Sequence, residues 1–108
     1  MQRFELPELL RKHAAAGRAY LEFLRAPALS MGLYCLPAGG EDPQGPHAED
    51  EVYCVLEGRA TVRVGEEEQP VEPGSIVSVP AGVPHRFTAI REALALLVFF
   101  APAESAGE

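Results

Sequence analysis

An all-β sandwich or barrel of short strands is the fold this sequence predicts, and three observations predict it. Ten glycines and ten prolines punctuate 108 residues, so tight turns are favoured over long helices. Between those turns lie about eight or nine short runs that are apolar or alternate in polarity, at the close spacing typical of an all-β domain. Only one stretch, near the N-terminus, has helical spacing. At this length the chain has room for one core, so residues 1–108 are expected to form one domain. Residues 1–17 would be a helical segment, 18–102 the barrel and 103–108 a tail.

Leu6 to Ala16, LPELLRKHAAA, predicts the helix: Pro7 suits a first turn, Leu9, Leu10 and Ala14 can share a face, and Gly17 ends it. His13 has no second ligand-type residue at helical spacing except acids at the helix start, and reads as a surface histidine. Arg18 to Arg25, RAYLEFLR, is mixed on both faces, as a strand near a sheet edge or interface would be. Leu29 to Leu36, LSMGLYCL, is a second strand, closed by Pro37-Ala38-Gly39-Gly40. Val52 to Leu56 and Arg59 to Val64, joined at Glu57-Gly58, read as a hairpin, and Gly65 to Gln69 as a charged, solvated loop. A short strand around Val71, another at Ile76 to Val79, the loop Pro80 to Pro84 and a strand from His85 to Thr88 follow. Leu94 to Phe100, LALLVFF, has the bulk of a strand buried on both faces, and the tail APAESAGE is expected to fray.

Charge narrows the function classes. Sixteen acidic residues against nine basic give a net charge of -7, a surface that repels phosphate backbones and anionic lipid, so neither nucleic acid nor membrane is an expected partner. The N-terminal MQRFELPELLRK carries charges every few residues, and no stretch approaches the roughly 20 apolar residues of a membrane span, which together predict a cytoplasmic protein. Cys35 and Cys54 fit neither a disulfide framework nor a Cys-x-x-Cys site; both lie in apolar runs and read as buried free thiols.

The chemistry is concentrated in Gly39 to Gly58, GGEDPQGPHAEDEVYCVLEG, where a loop of turn residues runs into His47, then Glu51, then an apolar strand. An even separation lets His47 and Glu51 face the same way, and a strand fixes the direction of the carboxylate. His85, reached through the Pro- and Gly-rich loop of GSIVSVPAGVPHRF, is the natural third ligand.

These two stretches resemble the paired motifs of the cupin superfamily, small jelly-roll (double-stranded β-helix) barrels. The first motif, G-x5-H-x-H-x3-E-x6-G, is met by Gly39, His47, Glu51 and Gly58, with Gly45 in the place of the first histidine. The second, G-x5-P-x-G-x2-H-x3-N, is met by Gly74, Pro80, Gly82 and His85, with Ala89 in the place of the asparagine. The match is closest to compact single-domain bacterial cupins, and two independent patterns agreeing in order and spacing are more specific than either alone. The resemblance implies that His47, Glu51 and His85 hold one divalent metal, a ligand set that Fe, Mn, Ni, Co or Zn accepts with positions left open for water or substrate. Gln44 is the nearest replacement for the missing histidine, with Asp42 and Glu49 behind it.

Two functions are then expected: a metalloenzyme of dioxygenase or isomerase type acting on a small polar metabolite, or a non-catalytic module that binds a metal or small molecule. For the enzyme, Glu49, Tyr53 and Arg63 are the candidate acid, base or orienting groups. The apolar faces of RAYLEFLR and LALLVFF exceed what a small barrel needs to cover, which predicts a homodimer.

Overall fold

The computed structural model describes residues 1–43 and 45–105. Gln44, one of the expected ligands, lies outside the described residues. One helix, α1 (Leu6–Ala16), precedes six strands: β1 (Tyr20–Ala26), β2 (Leu29–Leu36), β3 (Asp50–Val64), β4 (Glu67–Val71), β5 (Ile76–Val79) and β6 (His85–Ala101). All strand pairs are antiparallel, in the order β1-β2-β6-β3-β4, and β5 lies against the first half of β3. This is a jelly-roll barrel with a short N-terminal helix. Among the described residues no helix is long and apolar enough to cross a membrane.

The helix has the expected bounds. Pro7 sits in its first turn, Gly17 caps its end at φ 70, and Leu9 is its one buried residue, packed toward β1 and β2. As its mixed faces suggested, β1 is an edge strand. The expected hairpin is corrected. Val52–Leu56 and Arg59–Val64 belong to one strand, and both halves pair with β6 rather than with each other. His85–Thr88 and Leu94–Phe100 are likewise the two ends of β6. The charged loop shortens to a turn at Gly65-Glu66, because Glu67 to Val71 pairs with the end of β3.

Why two such long strands fit a small barrel is a matter of bending. The 17 residues of β6 would extend about 55 Å at ~3.3 Å per residue, yet the molecule's longest dimension is 37 Å. The β3–β6 ladder shifts register three times between Val55 and Thr61, and Gly58 sits at the centre of that irregularity with φ 93. A Cβ there would collide with the Ala93 carbonyl, so only glycine allows the two strands to approach while turning. Each long strand therefore serves both halves of the barrel, and six strands do what about eight or nine short runs were expected to do.

Alternate residues of the bent ladder fill the interior: Tyr53, Val55, Ala60 and Val62 from β3, with Phe87, Leu94, Leu96 and Val98 from β6. Each large apolar side chain taken from water contributes about 1.5–3 kcal/mol. Ala89 interrupts β6 at φ 48, in the left-handed region that a Cβ disfavours and that asparagine tolerates better.

The tail is tied down as far as Ser105 rather than frayed. Glu104 N–H donates to Ser30 Oγ at 2.9 Å, Arg25 Nη2 donates to the Glu104 carbonyl at 2.7 Å, and Ser105 bonds Glu49. It runs back across the start of β2 and the entrance to β3.

Candidate metal centre

Glu51 begins the inward row of β3, beside Phe100 of β6, and its carboxylate is buried to 2% exposure. His85 opens β6, at the far end of the same ladder. Because the ladder folds on itself at Gly58, the two side chains meet: His85 Nε2 lies 3.0 Å from Glu51 Oε1. His47 reaches them from the preceding loop, with Nε2 3.7 Å from the same oxygen. One potential ligand atom from each residue lies within 4.8 Å of the others. His47, Glu51 and His85, more than thirty residues apart at their extremes, thus converge in one polar hollow.

Hydrogen bonds between the two loops hold that convergence. Gly82 N–H donates to the His47 carbonyl at 2.7 Å, and Ala81 N–H to Asp50 Oδ1 at 2.9 Å, so the loop leading to His85 is stitched to the one carrying His47. The loop before His47 is fastened by Asp42, whose two oxygens accept from the Tyr34 hydroxyl at 2.6 Å and from Phe87 N–H at 2.9 Å. Asp42 is a tether of that loop. Phe100 packs edge-on against the His47 ring at a centroid distance of 5.0 Å.

The protonation pattern of His85 follows from its partners. Nδ1 lies 2.9 Å from the Val83 carbonyl, which can only accept, so Nδ1 carries a hydrogen and Nε2 is the lone-pair nitrogen of the neutral ring. The Tyr53 hydroxyl, 3.1 Å away, donates to Nε2. That nitrogen also faces Glu51 Oε1, an oxygen that is buried and accepts no well-aligned hydrogen bond. Two acceptors at this separation repel unless a positive charge lies between them. A proton supplies one answer: burial opposes charging His85, but Glu51 and the Val83 carbonyl outweigh it and raise its pKa above the ordinary value. A divalent cation supplies the other, and two imidazoles with a carboxylate suit it chemically.

The remaining expected residues divide. Tyr53, fully buried, joins the site through His85. Glu49 is buried but turned to the tail, where its Oε2 accepts from Ser105 Oγ at 2.6 Å and Ser105 N at 3.1 Å; that hydroxyl is the main reason its pKa is lowered. Arg63 is exposed, donates to the Gly65 carbonyl at 3.1 Å, and borders an open groove outside the barrel mouth together with Gly45 and His85. A Cβ on Gly45 would meet nothing within 4 Å, so the place of the missing motif histidine is sterically open.

Beside the trio lies a cavity of about 120 Å³. Val98 and Phe100 give it an apolar side, Glu51 and His47 one polar wall, and Tyr20 and Glu104 another. Sequence reasoning missed these last two. Glu104 sits in a tail expected to fray, and nothing local marks it. Tyr20 had a signal: Gly32 in the middle of β2 is a place where something approaches closely, and a Cβ there would collide with the Tyr20 ring and hydroxyl. Burial, with Glu104 and Glu22 nearby, pushes the Tyr20 phenol well above its ordinary pKa, so it keeps its proton as a donor. Glu104 Oε2 stands 3.6 Å from His47 Nδ1, and burial raises its pKa.

Comparison with known proteins places this geometry in context. A family model described as "Cupin domain" matches residues 32–100. An uncharacterized protein of Streptomyces coelicolor is 53% identical over 105 residues, covering 97% of this chain and all of its own length. The crystal structure of TT1209 from Thermus thermophilus superposes with a TM-score of 0.72 at 31% identity, over 95% of this chain and 99% of that one. DMSP lyase DddQ from Ruegeria pomeroyi shares the fold at 22% identity and a TM-score of 0.68, over 83% of this chain but only 49% of the lyase.

Proposed function

Because the chain belongs to the cupin family, we propose that His47, Glu51 and His85 hold one divalent metal ion and that the protein is a metalloenzyme acting on a small polar metabolite. One observation carries this reading: the buried Oε1 of Glu51, without an aligned donor, faces two imidazole nitrogens at 3.0 and 3.7 Å. When bound there, a divalent ion supplies Lewis-acid polarisation of a substrate oxygen, or a water of lowered pKa.

The chain's own residues prepare that chemistry. Val83 fixes the His85 tautomer so that Nε2 points inward with its lone pair, and the Tyr53 hydroxyl keeps the ring from turning. Phe100 holds the His47 ring edge and, with Val98, keeps bulk water from one side of the cavity. The hydrogen bond from Gly82 to the His47 carbonyl keeps both histidines in register.

The test is calorimetric titration of chelator-treated protein with Fe(II), Mn(II), Ni(II), Co(II) and Zn(II), followed by oxygen-uptake and turnover assays on each loaded form. Saturable binding with turnover supports the enzyme. Binding without turnover of any small polar substrate would leave a non-catalytic binding module, and no binding would retire the metal. Pairing of two copies belongs to the same proposal. The outer stripe in which Phe99 lies between Met31 and Val52 is half-buried and apolar, and light scattering at micromolar concentration should read a dimer mass rather than a monomer.

A further inference from the structure

The cavity has two kinds of wall, and together they describe an occupant. Its Tyr20 wall carries a hydroxyl oxygen that is buried and, among the described residues, without a hydrogen-bond partner. An unpaired buried hydroxyl costs about 1–3 kcal/mol. The fold nevertheless goes out of its way to put it there: Gly32 removes the one side chain that would exclude the phenol, and the Tyr34 and Phe100 rings pack edge-on against it at 6.3 and 6.2 Å. The other wall is delivered by the chain's own end. Three hydrogen bonds, from Glu104 N to Ser30, from Arg25 to the Glu104 carbonyl and from Ser105 N to Glu49, hold the backbone so that the Glu104 side chain faces inward, about one-third exposed.

Charge selects further. Two carboxylates, Glu51 and Glu104, line the cavity, and among the described residues no arginine or lysine does. Their combined charge matches that of one divalent ion, so an anionic ligand finds no net positive field with the metal present and a repulsive one without it. Size sets a scale: at ~30 Å³ per water, the cavity corresponds to roughly four waters, so a molecule of about four to six non-hydrogen atoms fills it.

We infer that this cavity binds a small uncharged or cationic molecule bearing vicinal polar groups, one oxygen of which accepts from the Tyr20 hydroxyl while a hydroxyl or amine hydrogen is donated to Glu104, and that it discriminates against carboxylates and phosphates. The inference deepens the function proposed above by naming its ligand class, and it rests on that reading only for the ion's place in the charge balance.

The experiment uses two probes of equal size, propane-1,2-diol and glycolate, titrated by ligand-observed NMR into the full chain, both chelator-treated and zinc-loaded. The diol should bind in both forms. Glycolate should be at least tenfold weaker without zinc, and weaker still than the diol with it. Tyr20→Phe, which keeps the ring that packs on Gly32, should weaken the diol about three- to tenfold. Glu104→Gln should narrow the gap between diol and glycolate, a change in selectivity that a purely structural role would not produce. Glycolate binding as well as the diol in either form, no diol binding at all, or variants with unchanged selectivity and affinity would overturn the inference. A chain that takes the diol but no zinc would retire the metal and leave the ligand class. One that takes zinc but prefers glycolate would do the reverse.

Discussion

The barrel has two ends made from the same two strands, and they follow opposite rules. At the bend, around Gly58 of β3 and Ala93–Leu94 of β6, inward positions are apolar: Val55, Ala60, Ile90 and Leu94 are all buried, and the backbones approach too closely for any side chain on Gly58. At the mouth, the same alternation delivers Glu51 and His85, and the loops and tail add His47, Asp42 and Glu104. The bend is optimised for packing and the mouth is not, since it keeps a carboxylate oxygen and a phenol buried without aligned partners. Apolar packing is thus concentrated at one end of the barrel, where the middle of the ladder bends, and buried polar groups at the other, where the two ends of the ladder meet.

That contrast is broken most directly at the bend. Gly58→Ala should destabilise by about 4 kcal/mol, from the disfavoured φ together with the collision against Ala93, and a denaturant midpoint within about 1 kcal/mol of wild type would mean the ladder bends elsewhere. Leu94→Ala, at 2% exposure, should cost about 3 kcal/mol by the same measurement. Between the ends, Ala89→Gly should stabilise by about 1 kcal/mol, because the residue already occupies φ 48 without the freedom that glycine has there. At the mouth, and at alkaline pH where His85 is neutral, Glu51→Gln should change stability least, staying within about 1 kcal/mol of wild type or above it, because it then removes a buried charge that no donor fully satisfies. The same variant should lose zinc uptake. A strongly destabilised Glu51→Gln would instead make the carboxylate a structural anchor.

Much of this was legible in the sequence where local chemistry is decisive. Pro7 and Gly17 bound the helix, Pro37-Ala38-Gly39 ended β2, and Glu51 faces inward from its strand, whereas His47 lies in the loop before β3 and reaches Glu51 through the loop's own hydrogen bonds and not through strand alternation. The hairpin that the sequence predicts at Glu57-Gly58 is a bend, because a glycine with positive φ serves a bend as well as a reversal, and the choice between them is made by β6, which pairs with both halves. The roles of Tyr20 and Glu104 depend on long-range contacts, with Gly32 in one case and Ser30 in the other, that no local pattern encodes. A Cβ on Gly45 would meet nothing within 4 Å, so that loop position is open.

Glu51 and His85 from the two ends of the folded ladder, with His47 from the loop before it, are proposed to make one metal centre, and elemental analysis of protein purified without chelator, alongside its His47→Ala variant, is the most direct test. Wild type is expected to carry close to a single divalent ion per chain and the variant to lose most of it while keeping its fold. Equal metal content in both, or no ion in wild type after loading with each of Fe, Mn, Ni, Co and Zn, would contradict the claim.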